Sequence, residues 1–329
     1  MDIDNALPLV TIAIPFRNTE RYLKDCLESV INQDYRNLQI LLCDDASTDK
    51  SASIVKEYSS IDKRINLIIC NGRGPAAARN SLLDESLGDY IFFVDSDDTL
   101  PINSVSSMLS LIDDHDMAMC GYTPVFVSEN QTGRSRLLKD CILDSRFLIH
   151  RFFLTDANRY GHMWGKLIKR EVLVGLNFPD VELYEDIAFL PQMIERLDSC
   201  IVTVKSLYNY TIHTESVSYD EDMHKQAEGL KVRMDNLKFY EDNYPLLADA
   251  AGLSALDFAF FLIGRMDRSD KVGKCPEWEY ALKMIEKLLT ETHGIKGMYR
   301  GASMLFGISP RLAAKACRIY SMKRNHTDR

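Results

Sequence analysis

Three carboxylates follow a short apolar run near residue 95. Residues 91–94 are all apolar, and Asp95, Asp97 and Asp98 come directly after them. An unbroken apolar run is typical of a strand buried on both faces, and open α/β sheets bind ligands at the carboxyl ends of such strands. Residues two apart on an extended chain point the same way, so Asp95 and Asp97 could present oxygens to one hard divalent cation. The alternative is a simple turn in which Asp98 or Thr99 caps the next helix.

Acidic and Gly-rich segments recur at the ends of neighbouring apolar runs. Asp44 and Asp45 follow the second run, and Gly72 and Gly74 follow the third. Glycine lets the backbone come close to a ligand, and the positive end of the following helix would point toward the same sheet edge. Read alone, the acidic pair is also typical of a turn with a helix cap at Ser47 or Thr48, and the glycine segment is an ordinary turn signal.

The elements that would position these residues alternate along the first hundred positions. Apolar runs predict strands, and apolar residues at helical spacing predict helices between them. Strands are expected at residues 9–14, 38–43, 65–69 and 89–94, with helices at 20–32, 47–58 and 76–87. Strands separated by single helices predict an α/β fold with a right-handed, mostly parallel sheet flanked by helices.

Beyond residue 101 the alternation becomes irregular, and the last third is helical. We expect a helix at 105–113, strands at 117–122, 199–204 and 207–211, and a hairpin-like stretch at 129–136. From about residue 225 the pattern predicts helices almost exclusively, at 225–240, 254–265 and 277–290. The predicted organisation is a sheet-containing domain over residues 1–215 and an all-helical C-terminal extension over 216–329.

Composition limits the classes of protein to which the chain can belong. A formal net charge of −9 argues against general nucleic-acid binding, although phosphate ligands fit where a metal or an arginine offsets the acidity. The eight cysteines form no CxxC pair or metal-ligand spacing, which predicts reduced, mostly structural thiols. The N-terminus lacks the basic residues of a signal peptide, and the longest apolar segment, 250–264, is shorter than the roughly 20 residues of a membrane span. We therefore expect a cytoplasmic protein without a transmembrane helix.

Four segments in this order and spacing closely resemble the glycosyltransferases of family 2. They are residues 10–18 (VTIAIPFRN), 44–49 (DDASTD), 71–80 (NGRGPAAARN) and 95–98 (DSDD). The likeness continues through 164–167 (WGKL) and 184–189 (YEDIAF), so it covers about the first 215 residues. The resemblance implies a catalytic domain of the GT-A fold and a nucleotide-diphosphate-sugar donor bound with a divalent cation, Mn²⁺ or Mg²⁺. It also implies sugar transfer with inversion at the anomeric carbon.

In that family the segment after the first strand and the acidic pair after the second line the nucleoside pocket. Here these positions are Pro15, Phe16, Asn18, Asp44 and Asp45. A strand-end carboxylate can accept a hydrogen bond from a base N–H or a ribose hydroxyl, while a proline fixes the backbone beside it. By the same resemblance the donor is expected to carry uridine.

The resemblance also assigns the diphosphate and metal ligands. Asp97, helped by Asp95, is the expected ligand of the cation, and Ser96 lies between them. Gly72 would let the backbone approach the donor, and Arg79 would reach the diphosphate or a loop carboxylate, although helix arginines usually face solvent. A cation beside the diphosphate stabilises the charge that builds on the leaving group without proton transfer.

A base is needed to take the proton of the acceptor hydroxyl as it attacks the sugar. Asp186 matches the position of the family's catalytic base, and Glu185 is expected to orient it or an acceptor hydroxyl. The alternative is that two acids at a helix start only favour the helix dipole.

The roles of two residues with ring side chains, Trp164 and His213, are left open. Trp164 could stack on an acceptor sugar or fill the core. His213 lies in the segment that closes over the donor diphosphate in relatives, but it departs from the basic pattern expected there. A surface position is therefore the default for His213.

The C-terminal thirty residues are basic. Residues 300–329 contain seven Lys or Arg and one acid, with apolar residues at roughly helical spacing among them. Such a helix can lie on an anionic membrane surface, which would suit lipid-linked sugars, or pack its apolar side on the preceding helices. Peripheral contact with the inner face of a membrane, contact with the acceptor and a homo-oligomer are therefore left open.

The sequence thus predicts an inverting glycosyltransferase that moves a sugar from a nucleotide-diphosphate donor to a hydroxyl of a glycan or glycolipid, in surface polysaccharide or related glycan synthesis. A sugar nucleotidyltransferase would show a Gly-rich basic loop after the first strand, where residues 15–18 (PFRN) stand instead. A dehydrogenase would show GxGxxG there. A non-catalytic nucleotide-binding scaffold is disfavoured because both the metal acids and the candidate base are present.

Overall fold

The computed structural model describes residues 7–127, 131–133, 139–155, 160–213, 222–293, 304, 306 and 309–326. The chain divides into two compact units. The first comprises Met1–Ile149, His162–Asp180 and Gln192–Thr214, and the second comprises His150–Gly161, Val181–Pro191 and Glu215–Arg329.

The first unit is built on one mixed sheet. Its strands are, in chain order, β1 (Val10–Phe16), β2 (Leu38–Asp44), β3 (Ile65–Ile69), β4 (Tyr90–Phe93), β5 (Met117–Phe126), β6 (Gln131–Thr132), β7 (Cys141–Leu143), β8 (Lys166–Lys169) and β9 (Cys200–Ile212). Their spatial order is β3-β2-β1-β4-β8-β5-β9-β7, and β6 pairs with β5. Strands β3, β2, β1 and β4 are parallel, β5 is parallel to β9, and β8 runs antiparallel between β4 and β5. The predicted mostly parallel α/β sheet is confirmed.

Helices connect the strands. They are α1 (Leu23–Ile31), α2 (Ser51–Ile61), α3 (Pro75–Asp84), α4 (Ser104–Ile112), α5 (Arg146–Thr155, of which residues 146–149 belong to this unit) and α6 (Arg170–Leu173). Successive residues of β1 and β2 point to opposite faces, yet nearly all of them are buried, so both faces of the sheet are covered. Helix α1 turns Leu23, Leu27 and Val30 into this core, because these positions recur at helical spacing.

Two local predictions differ from the structure, and strand β8 is not predicted. Helix α2 begins at Ser51 rather than being capped by Ser47 or Thr48, because Asp49 Oδ1 accepts the hydrogen bond from Ser51 N at 2.9 Å. The two strands expected at 199–204 and 207–211 are one strand, β9. The four-residue strand β8 is too short to give an apolar pattern and is not predicted. Of the hairpin-like stretch expected at 129–136, Gln131–Thr132 form β6, which pairs antiparallel with β5, and residues 129–130 and 134–136 lie outside the described residues.

Cys43 and Cys70 are joined by a disulfide, with their Cα atoms 6.5 Å apart. Cys43 lies in β2, and Cys70 directly follows the neighbouring strand β3, so the parallel pairing brings the two together. The other six cysteines are free. The prediction of reduced thiols is therefore wrong for Cys43 and Cys70. These residues are 27 positions apart, and it is the pairing of β2 with β3 that makes them neighbours.

The described part of the second unit is helical, as predicted for the C-terminal extension. Its helices are α7 (Glu185–Ile194, of which residues 185–191 belong to this unit), α8 (Met223–Asn243), a 3₁₀ helix (Pro245–Leu247), α9 (Ala248–Arg268), α10 (Pro276–Glu291) and α11 (Pro310–His326). Helix α9 is central and packs against α8, α10 and α11. A Cβ added at Gly264 of α9 would lie 3.0 Å from Arg318 Cα, so the two backbones approach closely there.

Residues Pro245–Arg268 form a helical segment of 24 residues that is long and apolar enough to cross a membrane. The prediction of no transmembrane helix rests on the apolar stretch 250–264, which is shorter than this helical segment. A core helix passes the same test, and Leu256, Phe260 and Ile263 are buried within the second unit.

Helix α11 has one buried and one exposed side. Ala313, Ala314 and Cys317 are buried, whereas Leu312 is 57% exposed and Ile319 is 46% exposed. Packing on the preceding helices therefore accounts for one side of the basic helix. Membrane contact through the other side stays a prediction.

Candidate functional site

The carboxyl ends of β1, β2 and β4 form one edge of the sheet. The residues that are predicted to bind the sugar donor lie at this edge. Pro15 and Phe16 end β1, and Phe16 is paired with Asp44 of β2 in the parallel register. Asp45 N donates to the Phe16 carbonyl at 2.9 Å. Strand β4 lies parallel to β1 on its other side, so the segments that follow all three strands share one edge.

Asn18 and Asp44 hold the loops at this edge together. Asn18 Oδ1 accepts a hydrogen bond from Thr48 N at 2.7 Å, and Asn18 N donates to Ser47 Oγ at 3.1 Å. Asp44 Oδ1 accepts from Ser47 N at 2.8 Å. Asn18 and Ala46 have φ angles of 54° and 58°, a left-handed conformation that is unfavourable for residues other than glycine. Asn18 and Asp44, which are both predicted to bind the sugar donor, therefore fix the shape of the loops through their side chains.

Asp45 presents a carboxylate oxygen that has no hydrogen-bond partner among the described residues. Its Oδ2 accepts from Gly74 N at 3.1 Å and lies 3.6 Å from Arg17 Nη1. Its Oδ1 is buried and unpartnered. A buried carboxylate oxygen without a donor is unfavourable, so this atom is suited to accept a hydrogen bond from a ligand.

The glycine loop after β3 lies against the acidic loop after β2. Gly72 and Gly74 have φ angles of 69° and 92°, which glycine adopts without strain. A Cβ added at Gly72 would lie 3.1 Å from Ala46 Cβ. The glycines therefore allow the two loops to approach, and Gly74 N supplies the hydrogen bond to Asp45.

Arg79 is buried rather than facing solvent. Its Nη2 lies 3.4 Å from Asp95 Oδ1, and its guanidinium is 5.9 Å from the centroid of the Phe178 ring. Phe178 is fixed in turn by Asn80, whose Oδ1 accepts from Phe178 N at 2.7 Å. The structure thus brings Arg79 of α3 together with one of the predicted metal ligands.

Asp97 lies beside His213, which contradicts the default surface position of that histidine. His213 Nε2 is 2.8 Å from Asp97 Oδ2, and the His213 side chain is 8% exposed. The ring stacks on Tyr22 with centroids 4.3 Å apart. His213 Nδ1 is buried without a hydrogen-bond partner in the part of the chain that the structure describes. Ser96, between the two predicted metal acids, is buried.

Asp98 turns away from this pair and anchors the loop to β9. Its Oδ2 accepts from the Tyr208 hydroxyl and its Oδ1 from Thr211 N, both at 2.7 Å. The same Tyr208 hydroxyl accepts from Asp95 N at 3.0 Å. Burial, followed by the charges of Asp97 and Asp95, raises the pKa of Asp98 well above its ordinary value. The alternative that Asp98 caps the next helix is wrong, because α4 begins at Ser104.

The chemistry of this donor set fits a divalent cation. Carboxylates suit Mg²⁺ and Mn²⁺, and an imidazole is a common ligand of divalent transition metals. The 2.8 Å contact between Asp97 Oδ2 and His213 Nε2 brings the two side chains close enough for both to hold one cation. Burial and then the charges of Asp97 and Asp95 raise the pKa of Asp98, and a positive ion would offset the repulsion among these carboxylates.

Trp164 belongs to the core. It is 7% exposed and stacks between rings, with centroids 4.7 Å from Tyr208, 5.3 Å from Tyr210 and 5.2 Å from His162. Of the two roles left open for Trp164, the structure favours core packing, because the neighbouring rings already cover it.

The predicted base and its neighbour lie in the second unit. Glu185 and Asp186 begin α7, and Asp186 Oδ1 accepts from Ile187 N at 2.7 Å. Glu185 is buried, and Asp186 is half-buried. Tyr184, directly before them, has a φ of 68°, which is strained for a bulky residue. The residues that are predicted to bind the sugar donor and the cation all belong to the first unit.

Sequence comparisons place the chain in a known family. The model of glycosyl transferase family 2 matches residues 11–174. EpsH of Bacillus subtilis is 30% identical over 247 residues, which cover 73% of this chain and 71% of EpsH. The chain belongs to glycosyltransferase family 2, and the predicted class of enzyme, a glycosyltransferase, is confirmed.

Two further relatives are longer than this chain. Glycosyltransferase GlyA of Streptococcus pneumoniae serotype 4 is 32% identical over 239 residues, which cover 68% of this chain and 34% of GlyA. GgaB of Bacillus subtilis, a minor teichoic acid biosynthesis protein, is 28% identical over 219 residues, which cover 63% of this chain and 23% of GgaB. The chain therefore spans about a third of GlyA and a quarter of GgaB.

Solved structures confirm the predicted GT-A type of fold. S. aureus TarS 1–349 in complex with UDP-GlcNAc has a TM-score of 0.63 at 17% identity, covering 96% of this chain and 92% of that one. The mannosyltransferase PcManGT of Pyrobaculum calidifontis, in complex with GDP-Man and Mn²⁺, has a TM-score of 0.54 at 16% identity, covering 96% of this chain and 88% of that one.

Proposed function

We propose that this chain transfers a sugar from a nucleoside diphosphate donor, a UDP-sugar, to a hydroxyl of a glycan or glycolipid, with inversion at the anomeric carbon. The observation that carries the proposal is the pairing of Asp97 with His213 at the sheet edge that also bears the unpartnered Asp45 oxygen. The UDP-GlcNAc complex of TarS supports the choice of nucleotide. The description of GgaB supports a product in surface polysaccharide synthesis.

The nucleoside would bind between the loops that follow β1, β2 and β3. Asp45 Oδ1 is placed to accept from a base N–H or a ribose hydroxyl, because it is buried and has no partner among the described residues. Asn18 and Asp44 keep these loops in place through the hydrogen bonds to Ser47 and Thr48. A preformed pocket of this kind lowers the cost of ordering on binding.

Asp97 and His213, with Asp95 beside them, would hold the divalent cation. When bound, the cation stabilises the negative charge on the departing diphosphate. Arg79 offsets the charge of Asp95 at 3.4 Å, and Asp98 holds the loop through Tyr208 and Thr211. The Mn²⁺ complex of PcManGT supports this assignment.

Asp186 would act as the base of the reaction. The acceptor oxygen forms a bond to the anomeric carbon on the face opposite the diphosphate, and the bond from that carbon to the diphosphate oxygen breaks. The proton of the acceptor hydroxyl passes to the Asp186 carboxylate. The nucleoside diphosphate is then released as the second product.

A thermal-shift panel tests the donor and metal assignments. Nucleoside diphosphates with uracil, guanine, cytosine, adenine and thymine bases are compared with and without Mn²⁺ on the wild type, Asp97→Asn and Asp25→Asn. Asp25 is an exposed carboxylate on α1 and serves as the matched control. We expect UDP to stabilise the wild type only with Mn²⁺, by about 2.7 kcal/mol at a hundredfold excess over Kd.

The Asp97→Asn variant should lose the UDP shift while its ligand-free melting temperature is kept, and Asp25→Asn should behave as the wild type. The absence of a shift with every nucleotide would contradict the proposal. Binding of UDP without sugar release from any UDP-sugar would instead favour a nucleotide-binding scaffold.

A further inference from the structure

Helix α8 of the second unit holds residues 182–187, the segment that begins α7. Glu228 Oε2 accepts a hydrogen bond from the backbone N–H of Glu182 at 2.8 Å. Two turns farther along α8, Asn236 Nδ2 donates to the carbonyl of Ile187 at 3.0 Å. These contacts bracket the acidic pair, so α8 fixes the backbone on both sides of it.

Between these contacts, Tyr184 is held in its left-handed conformation. Its hydroxyl donates to Gln226 Oε1 at 2.8 Å, and its ring packs edge-on against Phe258 at 5.1 Å. A Cβ added at Gly229 of α8 would lie 2.6 Å from the Tyr184 ring. A bulky residue with a positive φ persists only where its surroundings hold it, and such residues concentrate at functional sites.

Arg233 is a buried cation at the centre of these contacts. It is 3% exposed, and its guanidinium lies 4.0 Å from the centroid of Phe258 and 5.3 Å from that of Tyr184. Its Nη1 donates to the carbonyl of Gly229 at 3.0 Å. Burial lowers the pKa of Arg233 to about 10, with Tyr184, Asp186 and Asp257 acting in the opposite direction. Arg233 is therefore charged at neutral pH, and Asp186 is one of the groups that favour its charged form.

We propose that Arg233 is a positioning residue for Asp186. Stacked on Phe258 and Tyr184, it fixes the turn at Tyr184 and so sets where the first turn of α7 places the Asp186 carboxylate. This inference rests on the proposed role of Asp186 as the base. It gives helix α8 a function in the reaction beyond packing.

The test compares substitutions on α8 with a matched substitution elsewhere in the same unit. Gly229→Ala crowds the rings of Phe258 and Tyr184, which would lie 2.5 Å and 2.6 Å from the new Cβ, whereas Gly252→Ala on α9 crowds Thr292, whose Oγ1 would lie 2.4 Å from the new Cβ. Both changes replace a buried helical glycine by a better helix former, and both bring the new Cβ to less than 3.0 Å from a side chain, so the two variants are matched in kind. Arg233→Met removes the charge and keeps the stem, and Arg233→Lys keeps both charge and stem.

Steady-state kinetics with a UDP-sugar give the main readout. A misplacement of about 1 Å in a reacting group costs on the order of 100-fold in rate, so Gly229→Ala and Arg233→Met should lower kcat by about 10- to 100-fold. The donor KM should stay within about twofold, since no donor contact is removed. Arg233→Lys should restore part of the lost kcat, and Gly252→Ala should keep the wild-type kcat even if its melting temperature falls.

Deuterium exchange provides a second readout that does not depend on turnover. Below the melting temperature of each variant, Arg233→Met should raise exchange in residues 182–190, and Gly252→Ala should not. Wild-type kcat in Arg233→Met, or equal losses of kcat in the two glycine variants, would overturn the inference. If Asp186→Asn keeps the wild-type kcat, the proposed base is wrong, and that result is distinct from a failure of the α8 variants alone.

Discussion

His213 Nε2 lies 2.8 Å from Asp97 Oδ2, across 116 positions of sequence. The contact joins the end of β9 to the loop after β4. The next acid in that loop, Asp98, is held by Tyr208 and Thr211 of the same strand. Strand β9 therefore sets the position of the proposed metal ligands, although it contributes no residue to the acidic motif.

Replacing His213 by alanine is expected to weaken metal binding. Because His213 is proposed to hold the cation together with Asp97, its loss should lower Mn²⁺ affinity by at least about 10- to 100-fold, the cost of losing a residue that only orients a metal ligand. Calorimetric titration of Mn²⁺ into the protein saturated with UDP measures this change. His224→Ala, at an exposed histidine of the second unit, is the control. Unchanged Mn²⁺ affinity in His213→Ala would show that the 2.8 Å contact has no part in metal binding.

Replacing Tyr208 by phenylalanine is expected to destabilise the first unit. The hydroxyl is fully buried, donates to Asp98 and accepts from Asp95 N, so its loss removes one hydrogen bond from the buried Asp98 carboxylate and one from Asp95 N. A cost of about 1–3 kcal/mol is expected in urea unfolding. Tyr58→Phe removes one exposed hydrogen bond, to Glu28 at 3.0 Å, and should cost less than about 0.5 kcal/mol. Equal losses in the two variants would contradict this account of the Tyr208 network.

The acid sensitivity of the donor loops is expected to depend on Asp49. Its carboxylate accepts from Glu20 N at 3.0 Å and from Ser51 N at 2.9 Å. Burial acts to raise the pKa of Asp49, but the hydrogen bonds from Ser51 and Glu20 outweigh it and bring the pKa below the ordinary 3.8. Because the folded pKa is the lower one, the stabilisation is complete above the unfolded pKa and is lost as pH falls through the folded value.

Urea midpoints at pH 7, 5 and 3 check this prediction on the wild type and Asp49→Asn. The variant should be less stable at pH 7 and 5, and the difference should shrink at pH 3. A difference that stays constant across the three pH values would rule out the carboxylate charge as its source.

The residues themselves explain why some of this molecule could be predicted and some could not. Strand β3 has the predicted bounds because residues 65–69 (INLII) are mostly apolar and lie between polar turns. The pairing of Asp97 with His213 and the insertion of β8 between β4 and β5 depend on contacts between distant segments, which no local pattern encodes. The burial of Arg79 depends likewise on Phe178, far along the chain.

Replacing Asp45 by asparagine is expected to separate nucleoside recognition from diphosphate recognition. The Asp45 oxygen that accepts from Gly74 N can be kept by the asparagine carbonyl, whereas the buried, unpartnered Oδ1 would become an NH₂ group. An N–H of the base or an O–H of the ribose would then face the NH₂ group, which cannot accept its hydrogen bond. UDP affinity should therefore fall by roughly 10-fold or more, about 1–3 kcal/mol. Affinity for pyrophosphate with Mn²⁺ should be unchanged in Asp45→Asn and lost in Asp97→Asn, as measured by calorimetry. If Asp45→Asn weakened UDP and pyrophosphate equally, the carboxylate would be acting on the phosphate side of the site, and the nucleoside would have to be placed elsewhere.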